Sequence, residues 1–163
     1  MAGKGIFMKK LWIALLCAVL LLNLTACGDS GKEEQESTEP LTGVEVTYYH
    51  TEGWMYKLVP ETARIPKLTA QALIDILIEE EILPEGTQVR NFKVSHNLII
   101  LDLTAQLEEV FDSKGSTGDQ VILGSIVNTF LSNDDADSLK LTAEGRFLTS
   151  GRTIYNEPMR FFE

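Results

Sequence analysis

Cysteine and histidine are the side chains best suited to nucleophilic or metal chemistry, and this chain of 163 residues has two of each. Cys27 has the most informative surroundings, because it follows a basic start at Lys9 and Lys10 and an apolar run at residues 11–22. That pattern is typical of a secretory signal peptide. A transmembrane anchor is the alternative, but it needs about 20 apolar residues, and this run ends early at Asn23.

The segment closes on Leu24, Thr25, Ala26 and Cys27, which resemble the lipobox of bacterial lipoproteins. The resemblance implies signal peptidase cleavage between Ala26 and Cys27 and a diacylglyceryl-type lipid on the Cys27 thiol. A single acyl chain binds a membrane only marginally, so two chains are needed for stable attachment. We therefore predict a signal peptide at residues 1–26 and an extracytoplasmic protein attached to the cell membrane through Cys27.

The charge of the chain excludes one class of partner. The formal net charge is −10. Removal of residues 1–26 takes away three lysines and no acid, which leaves 11 basic and 24 acidic residues and a net charge of −13. Such a surface repels nucleic acid phosphates and has no polybasic attraction to anionic lipid. We expect no nucleic acid partner, and membrane contact only through the lipid.

The remaining chain divides into a linker and a folded domain. Residues 27–43 contain the lipidated cysteine and a stretch rich in Gly, Ser and Glu, which predicts a flexible acidic linker. Because Cys17 lies in the removed segment, no disulfide is expected. Residues 44–163 are numerous enough to form an apolar core.

Alternating and periodic apolar residues predict the elements of the first half of this domain. Strands are expected at 44–49 and 54–59 as a hairpin, followed by an irregular stretch between Pro60 and Pro66. Thr69 is the predicted N-cap of a helix to about residue 81. A second hairpin is expected from 87–94 and 98–103. The buried stripe of the helix is predicted to contain Ala70, Leu73, Ile74 and Leu77.

In the second half, Thr104 is expected to cap a short helix, followed by a flexible loop at 112–118. A helix from Asp119 to about residue 132 follows, in which Gly124 permits close packing. A strand near 139–142, a turn and a final extended stretch complete the chain. The order of elements predicts an α+β fold: a single two-layer domain in which two main helices pack on a mixed or antiparallel sheet made of both hairpins and a C-terminal strand.

The histidines do not form a recognisable metal site. His50 and His96 each fall in a predicted hairpin loop, and neither has a second His or Cys at ligand spacing. Polar residues in loops are ordinarily there for solvation. We assign no metal ligand and no cofactor.

Three carboxylates, Asp102, Glu108 and Glu109, lie near one another in the sequence and could form a glycosidase pair, which needs carboxylates about 5–9.5 Å apart. Nothing else in the sequence connects them. We predict instead that Asp102 accepts hydrogen bonds from backbone amides where a strand enters a helix. No catalytic residue is assigned.

Two further polar features have structural interpretations. Residues 133–137 contain three aspartates but lack the glycine and the distal glutamate of a calcium loop, so they predict a solvated turn, with weak cation binding left open. Arg64 is expected to pair with Glu61, or else to contact a partner.

With these elements in order, the domain resembles the GerMN family of sporulation and spore-germination lipoproteins. Family members can have two such domains, whereas this chain has one, and residues 142–144 are more polar than the corresponding family strand. The resemblance rests on residues 46–49, 58–61 with Arg64, 72–77, 83–87, 100–103, 126–130, 139–141 and 144–145.

The resemblance implies a non-enzymatic interaction or assembly role at the cell envelope, linked to spore formation or germination. The implied partners are envelope or spore-assembly proteins or peptidoglycan. The alternative is a lipoprotein that binds or senses a small molecule or a peptidoglycan fragment. A deep pocket lined by Tyr48, Trp54 and Tyr56 would favour that alternative.

Overall fold

The computed structural model describes residues 42–52 and 57–163. Seven strands and two helices follow one another in this part of the chain. In order they are β1 (Val44–Thr51), β2 (Leu58–Ile65), α1 (Ala70–Glu79), β3 (Val89–Ser95), β4 (Leu98–Leu103), α2 (Gln106–Asn133), β5 (Ser138–Ala143), β6 (Arg146–Ser150) and β7 (Thr153–Tyr155).

The strands form two sheets, and the predicted α+β class is confirmed. β1 and β2 make an antiparallel pair, and the other five strands form a sheet of order β3-β4-β5-β6-β7. Only β4 and β5 run parallel within this larger sheet, with α2 as the connection between them. The sequence placed both hairpins in one sheet, whereas the structure separates them.

The hairpins are separate because α2, and not another strand, satisfies the outer edge of β1. The backbone N–H of Thr47 donates to Oδ1 of Asn133 at 3.1 Å, and Nδ2 of Asn133 donates to the carbonyl oxygen of Thr47 at 2.6 Å. The N–H of Tyr49 donates to Oγ1 of Thr129 at 3.0 Å. Since these side chains occupy the positions that a neighbouring strand would fill, the β1–β2 pair packs on the helix.

α2 is the centre of the core. Residues 122–130 are all buried, a run longer than two helical turns, so no side of this segment faces solvent. Phe130 packs against Phe92 of the larger sheet, whereas Thr129 contacts β1. A Cβ on Gly124 would overlap Leu58 of β2, as the expected close packing requires.

The predicted loop at 112–118 is wrong. α2 continues through this segment, with non-helical backbone at Gly115 alone, where φ is 69° and ψ is 176°. A glycine adopts this backbone without a Cβ clash. Glycine and serine composition therefore predicted the break between two helical segments correctly but overestimated its length, because only Gly115 departs from helical backbone.

β2 also differs from its prediction. The strand includes Pro60 and Arg64, which the sequence placed in an irregular stretch. Proline is tolerated because β2 is the edge of a two-stranded sheet, where one side of the backbone has no strand to bond. The predicted strand residues Trp54 and Tyr56 lie outside the described residues.

The helix α1 and the turn between β3 and β4 follow their predictions. The Thr69 side chain accepts a hydrogen bond from the N–H of Ala72 at 3.1 Å, as an N-cap does. In the expected stripe, Leu73, Ile74 and Leu77 are buried. His96 and Asn97 form the two-residue turn between β3 and β4, both at positive φ.

The extended C-terminal stretch resolves into β6, β7 and a tail that returns to the core. Met159 makes an antiparallel bridge with Leu139 of β5. The buried Asn128 of α2 donates to the carbonyl oxygen of Phe162 at 2.9 Å and accepts from its N–H at 2.8 Å. Within the described residues, no helix is long and apolar enough to cross a bilayer.

Candidate interaction surface

Asp102 of β4 joins neighbouring strands of the larger sheet. Its Oδ1 accepts hydrogen bonds from Oγ1 of Thr142 at 2.7 Å and from the N–H of Gly145 at 2.8 Å. Its Oδ2 accepts from Nη1 of Arg90 at 2.7 Å. Asp102 was predicted to accept hydrogen bonds from backbone amides where a strand enters a helix. It does accept from a backbone amide, but that amide belongs to the β5–β6 turn, so the predicted location is wrong.

The surroundings of Asp102 favour its charged form. Burial is the largest single influence and would raise the pKa of this carboxyl. The hydrogen bonds from Thr142 and Gly145 and the Arg90 guanidinium together outweigh burial and hold the pKa of Asp102 below its usual value. A general acid needs the opposite shift.

The other two candidate carboxylates have separate surroundings. Glu108 lies 3.0 Å from Nη2 of Arg146 in an exposed ion pair. Glu109 is exposed. Each of the three acids thus has its own environment, and their proximity in sequence does not produce a shared network.

The histidines have ordinary structural positions. His96 is in its predicted turn, with Nδ1 3.0 Å from Oγ of Ser95. His50 was predicted in a loop, but it lies in β1, with Nε2 3.1 Å from Oε2 of Glu61. Among residues 42–52 and 57–163, no group of three His, Cys, Asp or Glu side chains could hold a metal ion.

Glu61 is therefore engaged with His50, and Arg64 pairs across the hairpin with Glu45, where Nη2 and Oε2 are 3.6 Å apart. This geometry replaces the expected contact between Arg64 and Glu61. The two residues are three positions apart in a strand, and alternate residues of a strand point to opposite faces.

Residues 133–137 are more than a solvated turn. Asn133 ends α2 and binds β1, as described above. Asp137 accepts from Nδ2 of Asn97 at 3.1 Å, and its N–H donates to the carbonyl oxygen of Asn97 at 2.9 Å. Burial raises the pKa of Asp134. The segment joins the end of α2 to the β3–β4 turn.

Of the three aromatic residues proposed to line a ligand pocket, Tyr48 alone lies in the described part of the chain. It is buried, and its hydroxyl donates to Oε1 of Glu80 at 3.2 Å. Burial, followed by the hydrogen bonds and charges of Glu61 and Glu80, raises the pKa of Tyr48 above its usual value. Tyr48 is a core residue with a satisfied hydroxyl.

Asp119 is a fully buried carboxylate that the sequence did not single out, except as a helix start. Oγ of Ser150 donates to its Oδ2, and its Oδ1 has no hydrogen-bond donor among the described residues. Burial and the charge of Asp119 raise the pKa of nearby Tyr155. The carboxylate connects α2 to the end of β6.

A groove lies where the end of α1 meets the beginning of α2, and we refer to it as the acidic groove. Its volume is about 430 Å³. Ile78, Ile82, Leu83, Pro84 and Val110 form its apolar floor. Glu81, Glu85 and Glu109 form its rim.

The end of α1 positions one side of this groove. The N–H of Ile82 donates to the carbonyl oxygen of Leu77 at 2.9 Å, and the N–H of Glu81 donates to that of Ile78 at 2.9 Å. These two bonds define a Schellman motif, whose left-handed position usually has glycine. Here it has Glu81, with φ of 56°.

The sequence already shows an unusual concentration of acids on this side of the groove. Glu79, Glu80 and Glu81 crowd the end of a helix, where the helix dipole disfavours negative charge. Glu80 has a structural partner there, since it accepts a hydrogen bond from the Tyr48 hydroxyl, and all three glutamates are exposed.

The comparisons with known proteins agree with the fold. The first GerMN domain of the sporulation protein GerM from Bacillus subtilis superposes with a TM-score of 0.55 at 21% identity, covering 70% of this chain and 96% of that one. The tandem GerMN domains of the same protein give 0.52 at 17% identity, covering 83% of this chain and 49% of that one. At these identities the likeness shows the fold alone. No curated protein matches the sequence.

A sequence model of the Germane family, described as sporulation and spore germination, matches residues 34–149. The match spans more than half of the chain and agrees with the resemblance to GerMN domains found from the sequence. The protein therefore belongs to the Germane family of sporulation and spore germination.

Proposed function

We propose that this protein is a lipid-anchored, extracytoplasmic interaction or assembly module of the cell envelope that acts in spore formation or germination. The single observation that supports this function most strongly is the family match over residues 34–149. The partners would be envelope or spore-assembly proteins, or peptidoglycan.

Membrane attachment through Cys27 is a separate part of the proposal. It rests on the order of a basic start, an apolar run and the four residues Leu24, Thr25, Ala26 and Cys27. These residues lie outside the described part of the chain, as do most of the predicted linker residues. An acidic linker after the lipid would separate the domain from an anionic membrane surface.

A non-enzymatic role is supported by how the polar side chains are used. Asp102 is held in its charged form by Arg90 and two neighbouring donors, and Glu108 pairs with Arg146. These carboxylates stabilise the sheet and its turn. Binding surfaces, in contrast, need no reactive group.

The test is the location of a fluorescent fusion of the full chain, expressed from its own promoter during growth and spore formation. Cys27→Ala is the matched control, because it removes the lipid attachment without changing the domain. Enrichment at the septum or around the developing spore, lost in Cys27→Ala, is the expected result. A uniform membrane signal that does not change at sporulation would contradict the assembly role and favour the alternative of a ligand-binding lipoprotein.

A further inference from the structure

We propose that the acidic groove is a docking site for a cationic segment of a partner protein, with an aliphatic side chain as its anchor and Lys or Arg on either side. This inference rests on the proposed interaction role and specifies the chemistry of the partner. Four properties of the groove lead to it: its apolar floor, its unpaired rim, the backbone of Glu81 and the charge of the whole chain.

The floor is suited to an aliphatic side chain. Ile82 and Val110 are each 9% exposed, Leu83 is 3% exposed, and Ile78 and Pro84 are half-buried. A volume of about 430 Å³ falls in the range of about 300–1,000 Å³ that is usual for binding sites. The groove is open to solvent, which suits one projecting side chain of a peptide.

The rim is suited to positive charge. Glu81, Glu85 and Glu109 are exposed, and none of the residues that line the groove is basic. In the described part of the chain, none of these three glutamates forms an ion pair, whereas Glu45, Glu61, Glu108 and Glu144 all do. The rim charges are thus available to a partner.

Glu81 is held at the rim at a structural cost. A left-handed backbone is unfavourable for a residue with a Cβ by roughly 1–2 kcal/mol. Strain of this kind is found where the surrounding structure requires a particular side chain at a functional position. A glycine would end α1 equally well, but it would leave one side of the groove without a charge.

Charge complementarity also selects the partner. The chain has a net charge of −10, which steers basic partners toward it and makes two copies repel. Anionic lipid and nucleic acid are repelled in the same way. Three arginines of this chain, Arg64, Arg90 and Arg146, already pair with its own acids, which leaves a second copy fewer cationic groups to offer.

The experiment measures binding of a defined peptide to the purified full-length protein in a zwitterionic detergent, by fluorescence anisotropy. The probe is a labelled peptide with one leucine between two pairs of lysines. Its matched control has serine in place of leucine. The protein variant is Glu81→Gln with Glu85→Gln and Glu109→Gln, and the control variant is Glu52→Gln with Asp135→Asn and Glu157→Gln, which removes the same charge from exposed positions outside the groove.

The groove variant should weaken binding on the order of tenfold, since three exposed charge contacts are lost, while the control variant changes it less than about twofold. The serine peptide should bind more weakly than the leucine peptide. Spermidine, a polyamine that has positive charge but no aliphatic side chain, should also bind more weakly. Equal weakening by both variants would show that the peptide responds only to the net charge of the protein. Equal binding of the serine peptide or of spermidine would show that the apolar floor does not contribute to binding. Either result overturns the proposal.

Self-association is the other outcome to exclude. If sedimentation equilibrium shows a dimer that the groove variant dissociates, the occupant is a second copy and the proposal of a cationic partner is wrong. The glutamine substitutions lie at exposed positions, and thermal unfolding of each variant shows whether the fold is retained. Since neither spores nor membranes enter this measurement, its failure is distinct from failure of the localisation test.

Discussion

At the scale of single residues, Asp102 has the clearest energetic role. Its two oxygens accept three hydrogen bonds from residues on two other strands and a turn, and one of the donors is a charged guanidinium. A buried carboxylate is stable only when such partners offset its lost hydration. Asp102 therefore acts as a structural acceptor that fixes the β5–β6 turn beside β4.

Asp102→Asn should destabilise the fold by about 2–3 kcal/mol. The amide has the shape of the carboxylate, but it has no charge for Arg90 and directs an N–H toward groups that are themselves donors. Urea unfolding measures the change. Glu108→Gln is the control, because it disrupts an exposed ion pair and should cost less than about 1 kcal/mol. Equal losses in both variants would contradict a special role for Asp102.

The lowered pKa of Asp102 also predicts how stability responds to acid. Because the folded pKa lies below the unfolded one, the unfolded chain binds more protons in the interval between them. This contribution is complete above the ordinary pKa of an aspartate, near 4, and is lost as pH falls toward the folded value. Urea midpoints measured from about pH 6 to pH 3 should fall less steeply in Asp102→Asn than in the unchanged protein. Parallel curves would rule out Asp102 as a source of the acid sensitivity.

At the scale of elements, the end of α1 combines a favourable hydrogen-bond motif with an unfavourable residue. The Schellman bonds from Glu81 and Ile82 are both present, but Glu81 occupies the position where glycine is preferred. The helix also ends in acids that oppose its dipole. Stability and the charge of the groove therefore make opposite demands on this turn.

Glu81→Gly should stabilise the protein by up to about 1 kcal/mol, because relief of the left-handed strain exceeds the entropy that glycine adds to the unfolded chain. Thermal or urea unfolding measures it. The matched control is Glu79→Gly, two residues earlier and still in α1, where the same substitution should destabilise by about 0.5–1 kcal/mol. A loss of stability in Glu81→Gly would show that the backbone at residue 81 is unstrained.

The elements also show what the sequence could and could not specify. Local patterns predicted α1, its Thr69 cap and the His96 turn, because each depends on residues a few positions apart. The placement of the β1–β2 hairpin on α2 depends on Asn133, which lies 86 residues from Thr47. The hydrogen bonds between Asn128 and Phe162 also join residues far apart in the sequence, at a separation of 34 positions. A polar residue in a helix gives no sign from sequence alone of which backbone it will bind.

The candidate site, like the fold, could be predicted from the sequence only in part. The acids at the end of α1 were visible in the sequence as an anomaly, but Glu109 and Val110 come from α2, and only the fold brings them to the same groove. Conversely, Asp102 and Glu108 are near each other in sequence, and each is engaged by a different arginine. Proximity along the chain was therefore a poor guide to shared chemistry.

At the scale of the whole molecule, net charge is the dominant electrostatic feature. The chain has 24 acidic and 14 basic residues, and several of the basic residues are paired with neighbouring acids. Unpaired acids repel one another in the compact state. Screening by salt weakens this repulsion, but it also weakens the exposed ion pairs, so the sign of the salt effect shows which is larger.

We expect repulsion to be larger, because exposed ion pairs are individually worth little. The melting temperature should then rise by roughly 2–5 °C between about 0.01 M and about 0.15 M salt, as the Debye length falls from about 30 to about 8 Å. The groove variant Glu81→Gln with Glu85→Gln and Glu109→Gln removes three of the ten net negative charges and should show a smaller rise. A fall in melting temperature with salt would mean that the ion pairs outweigh the repulsion. The excess acid would then act mainly on encounters with partners, and the stability of the fold would depend on the pairs made by Arg64, Arg90 and Arg146.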